Sequence, residues 1–107
     1  SSSRSIAACT MERLMQLGAS KAKASLDVAV ALQAAGFPFN PRTKDAAKTV
    51  ASWRDRLSRD NAGGAEADMY RDFMDRSLKF GTESPEALRQ DFLRRLEHVV
   101  RSARPEV

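Results

Sequence analysis

The sequence predicts an all-α fold, a compact bundle of about five short helices in a single domain. Alanine, leucine and arginine recur along the chain while β-branched residues are sparse, which disfavours strands. The five glycines and four prolines lie between or beyond stretches with helical spacing of apolar residues, where they mark helix ends. A chain of 107 residues can bury one core but not two. We therefore expect one domain over residues 1–107, with frayed ends at 1–4 and 103–107.

Two predicted helices in the first third of the chain end at glycines. The first runs over about 5–17 and stops at Gly18, because glycine readily takes the left-handed conformation that ends helices. The second begins after a cap at Ser20 or Ser25 and continues to 35, before Gly36. Its apolar residues lie on almost all sides, which predicts that it is the central buried helix of the bundle.

A proline-rich loop separates the second helix from the third. The segment FPFNP, residues 37–41, holds two prolines that remove amide donors and favour extended geometry before them. We expect Phe37 and Phe39 to fold against the core. Thr43 is the predicted cap of a third helix over 43–59, and Asn61, Gly63 and Gly64 mark the clearest break in the chain.

The last two predicted helices cover 65–80 and 85–102. The fourth carries acidic residues near its amino end and Lys79 near its carboxyl end, as the helix dipole favours, and Gly81 closes it. The fifth has the strongest start signal, Ser84-Pro85-Glu86, because serine can accept a hydrogen bond from a free amide and proline needs no partner at the first position.

Positive charge is concentrated in the first half of the chain. Residues 1–59 hold 10 basic and 4 acidic side chains, a net charge of +6, whereas residues 60–107 hold 8 basic and 10 acidic ones, a net charge of −2. Residues 42–59 alone hold six cations and two anions, a net charge of +4. Proteins that bind nucleic acid carry such a concentrated excess.

The helical spacing of 43–59 places these cations opposite an apolar side. Val50, Trp53 and Leu57 would anchor the helix to the core, and the other side would face solvent. We predict that this basic face contacts the phosphates of duplex DNA through lysines and arginines, and that Ser52 or Arg56 reaches base edges in the major groove. The predicted site residues are Lys44, Lys48, Ser52, Arg54, Arg56 and Arg59. The alternative is an ordinary solvated face on which Asp45 and Asp55 pair with neighbouring cations.

Two stretches resemble parts of known domain families. Residues 49–57, TVASWRDRL, resemble the second helix of helix-turn-helix DNA-binding proteins, in which a threonine-valine start precedes an aromatic residue and arginines. Twelve residues separate Gly36 from Thr49, so such a motif would hold an expanded turn in place of the usual three or four residues. The order of ERLMQLG, ALQAAG and AAKTVASW is similar to the three helices of ubiquitin-associated domains, although Ala19 stands where those domains have an aromatic residue. Neither resemblance assigns the chain to a family.

The residue types that support catalysis are too few to predict an enzyme. His98 has no nucleophile near it in the sequence, and Cys9 has no basic neighbour that would activate it. Asp68, Asp72 and Asp75 share a helix face but alternate with arginines, which favours surface ion pairs over a metal site. We therefore expect a small non-enzymatic DNA-binding or regulatory module with no cofactor and no metal.

Apolar stripes on the last two helices favour a second hypothesis. Residues 65–80 present Met69, Phe73 and Phe80 on one stripe and Tyr70 and Met74 on another, wider than one buried face requires. If one stripe is exposed, helices 65–80 and 85–102 would dock on a partner protein or on a second copy of the chain. The sequence contains no stretch apolar enough to cross a bilayer, and with a single cysteine we expect a cytoplasmic setting.

Overall fold

Five α-helices hold 76% of the part of the chain that the computed structural model describes, residues 2–76 and 84–103. They are α1 (Ser2–Gln16), α2 (Lys21–Ala34), α3 (Ala46–Leu57), α4 (Ala65–Arg76) and α5 (Pro85–Ala103). The predicted all-α fold of five short helices is confirmed. The Cα radius of gyration is 13.1 Å, close to the ~13 Å expected of a domain of this length.

The helix at the centre of the bundle is α1, and the prediction that α2 is central is wrong. α1 contacts each of the other four helices, whereas α2 contacts only α1, α3 and α5. The outer side of α2 leaves Leu26 50% and Val30 55% exposed. Small side chains explain the position of α1, because residues such as Ser5, Ala7 and Ala8, each fully buried, let neighbouring helices approach closely on several sides.

Two clusters of buried side chains connect α1 to its neighbours. In the larger one, Met11 and Leu14 of α1 pack with Leu32 of α2, Val50 of α3 and Leu96 of α5. In the smaller one, Ala8 and Cys9 of α1 pack with Leu57 of α3 and with Ala67 and Tyr70 of α4. α3 contributes to both clusters, so its orientation is determined at each end.

Glycines end α1 and α2 in the same way. Gly18 and Gly36 have φ angles of 106° and 81°, and each donates its backbone N–H to the carbonyl three residues earlier. The next residue donates to a carbonyl five residues before it, Ala19 to Leu14 at 3.1 Å and Phe37 to Leu32 at 2.9 Å. This double hydrogen bond requires a positive φ at the glycine and points the chain away from the helix axis. Both predicted stops are confirmed.

The helix starts follow the predicted caps at two of three positions. The Oγ of Ser20 accepts a hydrogen bond from the Lys23 N–H at 3.1 Å, and the Oγ of Ser84 accepts one from the Ala87 N–H at 3.2 Å. α3 instead begins after Asp45, whose carboxylate accepts from the Lys48 N–H at 3.1 Å, so the predicted cap at Thr43 is wrong. α1 begins at Ser2 rather than near Ser5. Lys79, Phe80 and Gly81 lie outside the described residues.

Two polar contacts of α1 hold α4 in place. The Ser5 hydroxyl donates to the backbone carbonyl of Glu66 at 2.7 Å, near the start of α4. The buried guanidinium of Arg13 donates to the backbone carbonyl of Met74, near the end of α4. It also donates to Gln16 Oε1 at 2.7 Å. A cation at the carboxyl end of a helix is favoured by the helix dipole. Within the described part of the chain, no helix combines the length and apolar character needed to span a bilayer.

Candidate nucleic-acid interface

α3 presents a row of polar side chains to solvent. Lys48, Ser52 and Arg56 are exposed and lie four residues apart on the helix, while Val50 and Leu57 are buried beneath them. At a rise of 1.5 Å per residue, the row from Lys48 to Arg56 extends about 12 Å along the helix. This arrangement matches the predicted division of α3 into an apolar and a basic side.

Two of the predicted contact residues lie in the loops that flank α3. Lys44 precedes the N-cap Asp45, and Arg59 follows the C-cap Ser58, so neither belongs to the helix proper. Both are exposed. Along the chain they stand before and after the row of Lys48, Ser52 and Arg56.

Arg54 lies apart from this row. Its guanidinium contacts Glu12 Oε2 of α1 at 2.8 Å through Nη2 and at 3.0 Å through Nε, and Asp55 Oδ1 at 3.0 Å through Nη1. Asp55 also binds the Lys21 ammonium at 2.7 Å, so one chain of charges joins α1, α3 and α2. The Arg54 side chain is only 22% exposed. Arg54 therefore connects helices and is not available to an external phosphate.

This chain of charges shifts the ionisation of its central members. Burial works against the charge of Arg54, but its hydrogen bonds to Asp55 and Glu12 outweigh burial and raise its pKa above the usual value. The hydrogen bond from Lys21 is the largest influence on Asp55, and with the contribution of Arg54 it lowers the pKa of that carboxyl. Both groups keep their charges at neutral pH, and both charges are compensated internally.

The other cations of the segment are not compensated in this way. Arg42, Lys44, Lys48 and Arg59 form no ion pair with any carboxylate in the described ranges 2–76 and 84–103, and all four are exposed. Arg56 approaches Glu66 only loosely, at 3.8 Å. We call Arg42, Lys44, Lys48, Arg56 and Arg59 the α3 basic surface. The sequence prediction included four of these cations and left out Arg42.

Two open concavities are lined in part by residues of α3. Arg56 and Arg59 line one of about 560 Å³ together with Gly63 and Gly64 of the loop before α4. The other, of about 670 Å³, lies where the loop after α2 meets Trp53 and Arg4. The proximity of Arg4 to this loop was not predicted, because residues so far apart in sequence leave no local pattern.

Three aromatic rings form the wall of the larger concavity. The rings of Phe39 and Trp53 are parallel within 1° with centroids 6.0 Å apart, and Phe37 meets Trp53 edge-on at 5.5 Å. All three rings are half-buried and pack on the core, as predicted for Phe37 and Phe39. The Arg4 guanidinium lies over the Trp53 ring, 5.7 Å from its centroid. We call this concavity the aromatic pocket.

The residues considered for catalysis or metal binding lie on three different helices, α1, α4 and α5. His98 is exposed on α5, and Cys9 is buried against α4. Asp68 and Asp72 form ion pairs with Arg71 and Arg76 on their own helix. Among the residues described, no group of three or more histidines, cysteines and carboxylates is placed to hold a metal ion.

Comparisons with known proteins assign no function to this surface. Comparisons with protein-family models, with curated proteins and with solved structures gave no match. The loop between α2 and α3 covers residues 35–45, so the segment resembling a helix-turn-helix motif lacks the tight turn of that motif.

Proposed function

We propose that this chain is a small non-enzymatic module that binds the phosphate backbone of nucleic acid through the α3 basic surface. The observation that carries the proposal is the absence of ion-pair partners around four of its five cations in the described structure. A lysine or arginine already paired with a carboxylate must break that pair to reach a phosphate. Within ranges 2–76 and 84–103, these four side chains have no such pair to break.

The shape of the surface favours a backbone ligand over a single small anion. Lys48 and Arg56 are about 12 Å apart along α3, and Lys44 and Arg59 lie beyond them at either end. One phosphate cannot contact cations spread over that length, whereas successive phosphates of a strand can. The chain also has a net charge of +4, which attracts polyanions at long range.

Ser52 has a distinct place in this proposal. It is exposed and lies between Lys48 and Arg56 on the same side of α3. Its hydroxyl can donate or accept a hydrogen bond and adds no charge of its own. We infer that Ser52 faces the bound strand and contacts a sugar, a phosphate or a base edge.

Salt dependence provides the direct test. Binding of generic duplex DNA, titrated at about 50 mM and about 200 mM salt, should weaken steeply because each phosphate contact releases a counterion. Contacts from all five cations correspond to a slope of about −4.5 in log K against log salt. Affinity that is absent, or independent of salt, would contradict the proposal.

A charge-reversal variant locates the surface. Replacing Lys48, Arg56 and Arg59 together by glutamate should abolish duplex binding without unfolding the domain, which circular dichroism would verify. A matched pair of single changes, Lys48→Glu and Arg94→Glu, controls for net charge, since Arg94 is also exposed but lies on α5, which does not contact α3. Unchanged binding in the triple variant would remove the proposal.

The alternative, docking through the apolar stripes of helices 65–80 and 85–102, has less support. Tyr70 packs in the core, where burial raises its pKa to about 12. Met69 of α4 is 37% exposed, and the other exposed large apolar side chains among the described residues, Leu26 and Val30, belong to α2, which does not contact α4. Phe80 lies outside the described residues. The observed surface therefore shows no broad apolar stripe on α4.

A further inference from the structure

The rings of the aromatic pocket take no part in the proposed phosphate contacts. Phe37, Phe39 and Trp53 are held beside the start of α3 by the loop that follows α2. Two hydrogen bonds from backbone N–H groups shape that loop, from Arg42 N–H to the side-chain Oδ1 of Asn40 at 2.9 Å and from Thr43 N–H to the Asn40 carbonyl at 2.8 Å. These bonds order the turn between the Phe39 ring and the start of α3.

A cation lines the pocket beside its aromatic rings. Arg4 projects over Trp53 from α1, its side chain is 45% exposed, and it approaches the Glu66 carboxylate at 4.0 Å. Thr43, another residue that lines the pocket, stands between Arg42 and Lys44 in the sequence. A ligand whose flat apolar part enters the pocket would thus meet positive charge at Arg4.

We propose that the aromatic pocket receives an unpaired base, so that the preferred ligand of the α3 basic surface is single-stranded nucleic acid. This inference rests on the proposed function. In a duplex the faces of the bases are covered by their neighbours, whereas an unpaired base can stack on aromatic side chains or on an arginine plane. Its phosphates would then reach Arg42, Lys44 and Lys48.

The size and charge of the pocket favour this occupant. A volume of about 670 Å³ lies within the ~300–1,000 Å³ of pockets that hold small ligands, which is ample for a base and its sugar. Proline-rich peptides also bind aromatic grooves. The exposed Arg4 guanidinium in the lining favours an anionic ligand over such a peptide.

Trp53 reports on the pocket because it is the only tryptophan of the chain. The experiment compares three ligands at low salt: an oligothymidylate of about 12 nucleotides, an abasic oligomer of equal length, and a duplex. We expect oligothymidylate to quench Trp53 fluorescence and to bind about 5- to 150-fold more tightly than the abasic oligomer, the range that corresponds to one stacked base. The abasic oligomer should bind without quenching.

A ring deletion separates stacking from charge. Phe39→Leu keeps an apolar side chain but removes one ring, so the preference for oligothymidylate over the abasic oligomer should fall to near unity while affinity for the abasic oligomer is retained. Phe73→Leu on α4 is the matched control, because Phe73 is also half-buried but packs in the other cluster. Thermal unfolding of both variants verifies that they are folded.

The outcomes distinguish this inference from the proposed function. Equal affinity for oligothymidylate and the abasic oligomer, without quenching, would overturn the single-strand inference and leave phosphate binding intact. Quenching by a proline-rich peptide but not by oligothymidylate would also overturn it. Failure of all three nucleic-acid ligands to bind would overturn both proposals.

Discussion

α3 and α5 are both rich in cations, but they differ in what those cations contact. Three arginines of α5 each bind a carboxylate three or four residues earlier on the same helix. The pairs are Glu86–Arg89, Asp91–Arg95 and Glu97–Arg101, with N–O distances of 3.2, 2.9 and 3.5 Å. Apart from Arg94, which forms no ion pair among the described residues, the α5 arginines therefore belong to a salt-bridged face, the kind of surface expected of α3 if Asp45 and Asp55 paired with its cations.

The acidic residues of α3 are used differently. Asp45 caps the helix with its carboxylate, and Asp55 binds Lys21 and Arg54. Arg59 follows Asp55 by four residues but lies beyond the C-cap, so helical geometry does not bring the two together. A cation is therefore available to a phosphate when the carboxylates near it are bound elsewhere, and the net charge of the segment alone does not determine this.

The largest effect should come from giving α3 the charge pattern of α5. Ser52→Glu places a carboxylate four residues after Lys48 and four residues before Arg56, which is the spacing of the α5 pairs. We expect the salt slope of duplex binding to become shallower by about 2, because two phosphate contacts are lost. Ser52→Gln controls for side-chain size. If both variants bind alike, carboxylate placement does not determine availability.

Removing the internal cation of α3 should affect stability and leave binding unchanged. Arg54→Leu deletes the hydrogen bonds to Glu12 and Asp55 and leaves the half-buried Glu12 carboxylate without its partner. We expect a loss of about 2 kcal/mol in the free energy of unfolding, measured with urea. The salt slope should not change. Arg56→Leu should show the reverse, a shallower slope with a stability change below about 0.5 kcal/mol.

Acid should weaken the ion pairs in which Asp55 of α3 and Asp27, the partner of Arg89 on α5, take part. Burial raises the pKa of Asp27, but hydrogen bonds from Lys23 and from Arg89 of α5 outweigh it, so its net pKa is lowered, as is that of Asp55. Both carboxyls thus favour the folded state above their unfolded pKa of 3.8, and that stability is lost as pH falls through their lower folded values.

The variant Asp27→Asn tests this sign. It should cost about 1.5 kcal/mol at neutral pH, because a charged hydrogen-bond acceptor is lost, and the difference from the parent chain should shrink below about pH 4. Urea unfolding at several pH values measures both. A difference that grows on acidification would contradict the assignment. Asp68→Asn, at an exposed position of α4, should have little effect at any pH.

The smallest effect should come from the paired arginines of α5. Arg95→Gln removes an exposed ion pair with Asp91 on the same helix. We expect a stability change below about 0.5 kcal/mol and an unchanged salt slope. A slope that becomes shallower in this variant would place nucleic acid on α5 and would break the contrast between the two helices.

Local signals predicted the helices well, because helix ends depend on few residues. Gly18, Gly36, Ser20 and Ser84 each act through hydrogen bonds within a few positions, and each does what the sequence indicates. The start of α3 was misplaced because Thr43 and Asp45 are both good caps two residues apart. Which of them ends the loop depends on packing that the local sequence does not contain.

Contacts between distant residues could not be predicted. The spacing of α3 indicated which residues face outward, but not that Arg54 meets Glu12, 42 residues away. The apolar residues on all sides of α2 suggested a buried helix, whereas the three helices that contact it, α1, α3 and α5, cover only part of its surface. Helical periodicity defines the faces of one helix and leaves open which neighbour covers each of them.

The central position of α1 affects how the chain assembles. The first of the five helices to be synthesised is enclosed partly by α5, the last, so the part of its surface that α5 covers stays open until nearly all of the described chain has been made. Contacts between such distant segments slow folding because a long loop must close before they form. The bundle therefore closes around α1 only when α5 has packed on it.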